Sequence, residues 1–309
     1  MNLNFQGRVA LQILVGQSCG SASFSPSARA AWLTESGRGN PKARTSLRSF
    51  CQKFGRRGSA ALPLLAVMIL LFAVGARAET TNALSDAAIQ GHILAQQLCE
   101  MRPETNFTQS AILVIRPKSG RSTSNSITCQ IFVTQKNWTT IYTPNGAPPV
   151  ISTPFNKIEY VITHAGDGGN IYTLNHSNPF THGEQPVSSA TPIAGSDFWF
   201  GDLGLEFFRW PQQRILPKTI NLKRGRAYTL LESTNPNPST NGYSRVLSWI
   251  DQETGGILQA EAYDAQGKLL KVFEPDSFEK VNGQWQLQEI EIRNVQTGSR
   301  TRLTFDLKK

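Results

Sequence analysis

Residues 243–274 read YSRVLSWIDQETGGILQAEAYDAQGKLLKVFE. Three strand-like runs, Ser244–Asp251, Ile257–Asp264 and Lys268–Glu274, are separated by Asp251-Gln252-Glu253-Thr254-Gly255 and Asp264-Ala265-Gln266-Gly267. Short turns rich in Asp and Gly between such runs specify antiparallel hairpins. The rhythm extends in both directions. Arg226–Ser233 precedes it, and Trp285–Arg293 and Arg300–Leu307 follow, the last two entered through Val281-Asn282-Gly283 and Gln296-Thr297-Gly298. Leu303, Phe305 and Leu307 alternate with Arg302, Thr304 and Asp306. One sheet face is therefore covered and the other solvated.

Upstream, Ser110–Arg116, Ile127–Gln135, Trp138–Thr143, Lys157–His164 and Asn170–Leu174 carry the same signal, the last two flanking the turn Gly166-Asp167-Gly168-Gly169. Leu84, Ala88, Ile93, Leu94 and Leu98 place one apolar stripe on a helix over about 84–101, stopped at Arg102-Pro103. Residues 175–195, rich in Pro, Asn, Ser and His, read as a long surface loop. Residues 196–216 break the rhythm with Phe198, Trp199, Leu203, Phe207 and Phe208, three of them at helical spacing after a possible cap at Ser196 or Asp197. A short aromatic helix is expected there, its rings serving either as core or as a cover. The fold class is α+β and mostly antiparallel β, with about ten or eleven strands and two helices. A sheet of that width must curl, close or split.

The N-terminus changes the composition argument. Arg56 and Arg57, the uncharged apolar run Ala60–Gly75 and Ala76-Arg77-Ala78 have the order of a cleavable signal peptide, 56–78, with cleavage after Ala78. The run is shorter than the roughly 20 residues a spanning helix needs. Residues 1–55 are then an unstructured leader or a mis-assigned start, and 79–309 a single domain. The whole chain of 309 residues has 31 basic and 22 acidic side chains. Residues 1–78 hold ten of the basic ones and only Glu35 of the acids, so 21 of each sign remain and a basic-surface case for nucleic acid fails. Cys99 and Cys129 are the two cysteines beyond residue 78. In an oxidising compartment they either pair or lie as separate buried thiols.

No Gly-x-Ser-x-Gly elbow, phosphate-cradling loop or His-Glu-x-x-His helix occurs. His164, His176 and His182 lie near Asp167 and Glu184 at irregular spacing, which does not make a metal set. Asn106, Asn137 and Asn175 head glycosylation sequons, relevant only to a eukaryotic secretory route. No enzymatic activity, cofactor or metal is expected.

Gly195-Ser196-Asp197-Phe198 with Asp202-Leu203, then Tyr243–Asp251, Ala260–Asp264, Gly267–Lys271, Val295–Thr301 and Leu303–Phe305 together resemble the bacterial outer-membrane lipoprotein-sorting proteins, the LolA-like periplasmic carriers. The likeness covers about 195–309 well and the N-terminal half weakly. It implies a strongly curved, incomplete β-barrel covered by one or two helices around an apolar cavity for acyl chains. The protein implied is a periplasmic, monomeric carrier of lipids or lipoproteins towards the outer membrane, serving membrane-associated donor and acceptor transport proteins. Cavity-lining positions expected on that basis are Ile131, Val133, Ile162, Leu247, Trp249, Phe273 and Ile290. Phe198, Trp199, Leu203, Phe207 and Phe208 would form the covering helix. The alternative is an envelope protein-binding or sensor module on the same fold, without lipid.

Overall fold

The computed structural model describes residues 86–145, 157–166, 168–178, 181–217, 222–281 and 284–307. The leader and the signal segment lie outside the described residues. Helix α1 covers 86–100. Strands β1 (Phe107–Arg116), β2 (Thr123–Val133), β3 (Asn137–Pro144), β4 (Lys157–Ala165), β5 (Gly169–Asn178) and β6 (Thr181–Pro186) follow as an up-and-down meander. After a crossover come β7 (Gln212–Leu216), β8 (Leu222–Lys223), β9 (Arg226–Thr234), β10 (Tyr243–Asp251), β11 (Ile257–Asp264), β12 (Leu269–Val281), β13 (Gln284–Asn294) and β14 (Arg300–Phe305).

All pairings are antiparallel, and the strand order is β6-β5-β4-β3-β2-β1-β14-β13-β12-β11-β10-β9-β7, with β8 paired only to β9. The first and last strands therefore join the two meanders, with Ala111 opposite Phe305 and Leu113 opposite Leu303. β6 and β7 are the free edges of a strongly curved, unclosed sheet. The chain enters one edge and restarts at the other, so the segment between them must cross the sheet.

Alternation decides which side is concave. Leu113, Ile127, Ile131, Tyr142, Ile162, Phe273, Ile290, Ile292, Leu303 and Phe305 are buried in one continuous core, and cross-strand register places them on one face. The opposite face carries charge, including Arg302 with Glu289 at 2.9 Å and Glu291 at 3.1 Å. Such exposed pairs contribute little stability and mark a solvated surface.

Four expectations are corrected. Among the described residues the strands number fourteen, because polar edge strands leave no hydrophobic alternation to read. Residues 175–195 contain the end of β5 and all of β6, a hairpin written in Thr, His, Gly, Glu and Gln. The short helix expected within 196–216 is present as Phe200–Leu203, but Phe207 and Phe208 lie on a separate 3-10 turn and strand β7 follows. In α1 the inward stripe runs through Gly91, Ala95 and Leu98, while Ile93 is exposed. Gly91 is the reason: a Cβ there would come within 2.6 Å of the Arg214 backbone nitrogen, so the helix lies directly on β7. A mid-helix glycine costs about 1 kcal/mol, which this close approach offsets.

Among the described residues no helix is long and apolar enough to cross a membrane.

Candidate functional site

The crossover from β6 to β7 is the aromatic segment, and it lies as a belt over the concave face. Its first turn reverses the chain: Ala194 and Gly195 have φ of 50° and 70°, and Ile193 N–H donates to Phe198 O at 2.8 Å. Helix α2 (Phe200–Leu203) follows, its first turn capped by Asp202, whose Oδ2 accepts the Trp199 N–H at 2.8 Å. Gly204 and a left-handed Leu205 (φ 49°) break it, and the 3-10 turn Glu206–Arg209 ends before Pro211. Phe198, Phe200, Leu203, Phe207 and Phe208 are all buried, and Trp199 is half-buried.

At the C-terminal meander the belt is held by charge. Lys271 projects from the apolar face of β12 and is only 1 % exposed. Its Nζ reaches Asp202 Oδ2 at 3.2 Å and Asp197 O at 2.7 Å, and lies 3.4 Å from the Trp199 ring centre. Tyr243 Oη donates to Asp202 Oδ1 at 2.7 Å, and its ring stacks on Trp199. Asp197 receives Ser299 Oγ at 2.5 Å and Thr301 Oγ1 at 2.8 Å. Burial pushes the Lys271 ammonium down to about 8, against the opposing pull of Asp202 and Asp197. Burial, then the neighbouring Asp202 carboxylate, pushes the Tyr243 phenol well up.

At the N-terminal meander the belt is held without ion pairs among the contacts described. Phe200 packs against Tyr160 and Tyr172 at ring-centre distances of 5.8 and 5.7 Å. Asn170 Nδ2 donates to Gly204 O at 2.7 Å, and Arg209 donates to Gly166 O at 3.1 Å. A Cβ on Gly204 would meet Asn170 and Tyr172 at 2.9 Å, so this turn needs glycine. Beneath it His164 is buried flat against Trp138, ring centres 3.4 Å apart. Burial, reinforced by nearby Arg209, lowers the imidazole to about 3, so it is neutral.

Of the expected lining positions, Ile131, Val133, Ile162, Phe273 and Ile290 fall on the concave face. Phe273 meets the belt edge-on through Phe198. Leu247 and Trp249 do not fall there. They stand on the outer face, Trp249 under Lys223 Nζ at 4.6 Å, while Val246, Ser248 and Ile250 point inward. In a strand with apolar residues on both faces a one-residue choice flips the whole set. The smaller set faces inward because belt rings occupy the space beside it. Phe207, Phe273, Val246, Ala260, Ala262, Ile292, Tyr243, Lys271 and Asp202 line a remaining void of about 20 Å³. A second void of about 60 Å³ lies by Glu206, Trp210 and Ser239. Each holds about one to a few waters.

Asp202, Tyr243 and Lys271 were missing from the sequence-based site. Lys271 did leave a signal, since it shares the parity of Phe273 on a strand whose alternate residues form the core. Cys99 is half-buried and Cys129 buried, and both are free thiols. Burial lifts Cys129 to about 12 despite a hydrogen bond with Tyr142.

The curved antiparallel sheet has known counterparts. The fold is LolA-like. A DUF1329 family protein from Desulfovibrio piger superposes with a TM-score of 0.56 at 17 % identity, covering 71 % of this chain and 91 % of its own. A domain from Vibrio parahaemolyticus, described as an outer membrane lipoprotein-sorting protein domain, gives 0.56 at 19 % identity, with coverages of 71 % and 91 %. A LolA superfamily protein from Nitrosomonas europaea gives 0.50 at 17 % identity, with coverages of 72 % and 92 %. A family described only as an uncharacterized protein matches residues 184–307, which takes in the belt and the C-terminal meander. No curated protein sequence matches the chain.

Proposed function

We propose that this protein is a periplasmic carrier that shelters the acyl chains of lipids or lipoproteins and passes them towards the outer membrane. In this reading the signal segment 56–78 exports it, and 79–309 is the working domain. No step requires catalysis. The observation that carries the reading is the belt itself. It fills the apolar concavity with five buried aromatic and aliphatic side chains, yet it is a crossover connection rather than a strand of the sheet. When such a segment lifts, it vacates an apolar trough floored by the small residues Val246, Ala260 and Ala262. Burial of an acyl chain contributes about 0.8 kcal/mol per methylene, enough to compete with the belt rings for that space.

A second reading rests on the filled interior. Voids of about 20 and 60 Å³ suit an envelope module that binds a protein partner and never opens. One experiment separates the two: extract the protein purified from cells with organic solvent, and titrate the delipidated protein with a fluorescent fatty acid. Stoichiometric lipid or saturable binding is expected of a carrier. Absence of both sinks that reading and favours the module.

A further inference from the structure

Apart from the Asp197 N–H, which donates to Thr301 Oγ1 at 3.0 Å, the hydrogen bonds between belt and C-terminal meander have one polarity. The donors Lys271 Nζ, Tyr243 Oη, Ser299 Oγ and Thr301 Oγ1 stand on or beside β12, β10 and β14. The acceptors are the two belt carboxylates, Asp202 and Asp197, and the Asp197 carbonyl. If the belt lifts, both carboxylates leave with it. Lys271 is then left among Ala262, Phe273, Val246 and Ile292, with hydroxyls and the cross-strand Asn294 as its polar company.

We propose that this wall is an anion subsite, and that Asp202 occupies it when the belt is down as a stand-in for the anionic group of the cargo. The ligand class is an amphiphile whose carboxylate or phosphate adjoins its acyl chain. An uncharged ester-linked chain does not belong to this class. The inference rests on the carrier reading above.

The physical case is desolvation. A buried cation stripped of its carboxylate is strongly unfavourable unless another anion replaces it or it loses its proton. The ammonium is already easily discharged, at about 8 with Asp202 beside it. A neutral cargo would have to drive off that proton. An anionic cargo replaces the Asp202 carboxylate and gives Lys271 and Tyr243 an acceptor again. The aliphatic neighbours of Lys271 then continue directly into the trough, so head and tail of one molecule find matching surfaces.

The test uses delipidated protein and three tritiated probes: palmitate, methyl palmitate and 1-palmitoyl lysophosphatidate. Wild type should bind palmitate or lysophosphatidate about tenfold or more tightly than methyl palmitate, the ratio expected of one charge-assisted hydrogen bond. The preferred acid of the two identifies the head group as carboxylate or phosphate. K271M should bring the preferred acid down to the level of the ester. D202N removes the internal competitor and should raise the ratio of acid to ester affinity above that of wild type; it serves as the test if K271M does not fold. Equal binding of ester and acids to wild type, or a ratio in D202N no higher than in wild type, overturns the anion subsite and leaves the carrier reading intact. No binding of any probe overturns the carrier reading itself.

Discussion

The belt is fastened at its two ends by different chemistry. Against β10, β12 and β14 it uses a buried ion pair and hydroxyls aimed at carboxylates. Against β4 and β5 it uses rings, one amide and a glycine turn. Neutral packing holds a segment whenever its shape fits. A buried ion pair holds it only while both charges are present, and fails at high cost when one is lost. The contrast assigns the C-terminal fastening the role of a two-state contact and the N-terminal one the role of a pivot.

The largest expected effect is at the charged end. D202A leaves Lys271 buried without a counter-ion and should cost about 3–5 kcal/mol of unfolding free energy, read from denaturant midpoints. A loss under 1 kcal/mol would mean that the pair is not desolvated in solution.

Acid should strain the other end. His164 takes a proton near 6.5 when unfolded but only near 3 when folded. Between those values the unfolded chain binds more protons, so stability falls as pH drops, by up to about 1.4 kcal/mol per pH unit. H164F, which keeps a ring beside Trp138, should flatten that slope.

Alkali tests the charged end in the opposite sense. Lys271 releases its proton near 8 when folded and near 10.5 when unfolded. Its contribution therefore makes stability rise with pH from about 8, since burial outweighs the ion pair. The rise should be read below pH 10, because Tyr243, its phenol raised by burial, reverses the trend above that. K271M should lack the rise.

The smallest change is at the neutral fastening. N170A removes one hydrogen bond to the Gly204 carbonyl and should cost about 1–2 kcal/mol. A loss as large as that of D202A would erase the distinction between pivot and two-state contact.

The sheet was legible where one face is apolar and turns are short. Ile257–Asp264 is bounded identically by alternation and by structure, and β10 and β14 differ from their expected bounds only at their ends. Polar hairpins such as β5–β6 were not legible, because an edge strand needs backbone partners more than side-chain packing. The aromatic segment was read as either core or cover, and its form was not legible. Gly204 and Leu205 break a pattern that Leu203, Phe207 and Phe208 write at helical spacing. The Lys271–Asp202 pair joins residues 69 positions apart, which no local pattern records. Leu247 and Trp249 were misplaced because size suggested the inside, whereas the interior had already been taken by rings from elsewhere in the chain.

The pairing of the first strand with the last has a kinetic consequence. Ala111 and Phe305 face each other across nearly the whole domain, so this contact closes a loop of about 190 residues. Closing so long a loop is entropically costly, and folds dominated by such distant contacts assemble slowly. Asp197 finds its hydroxyl partners only on and beside that final strand. Until residues 299–305 are in place, the Asp197 carboxylate of the belt lacks both of its hydroxyl partners. Docking of β14 against β1 is therefore a slow step of folding.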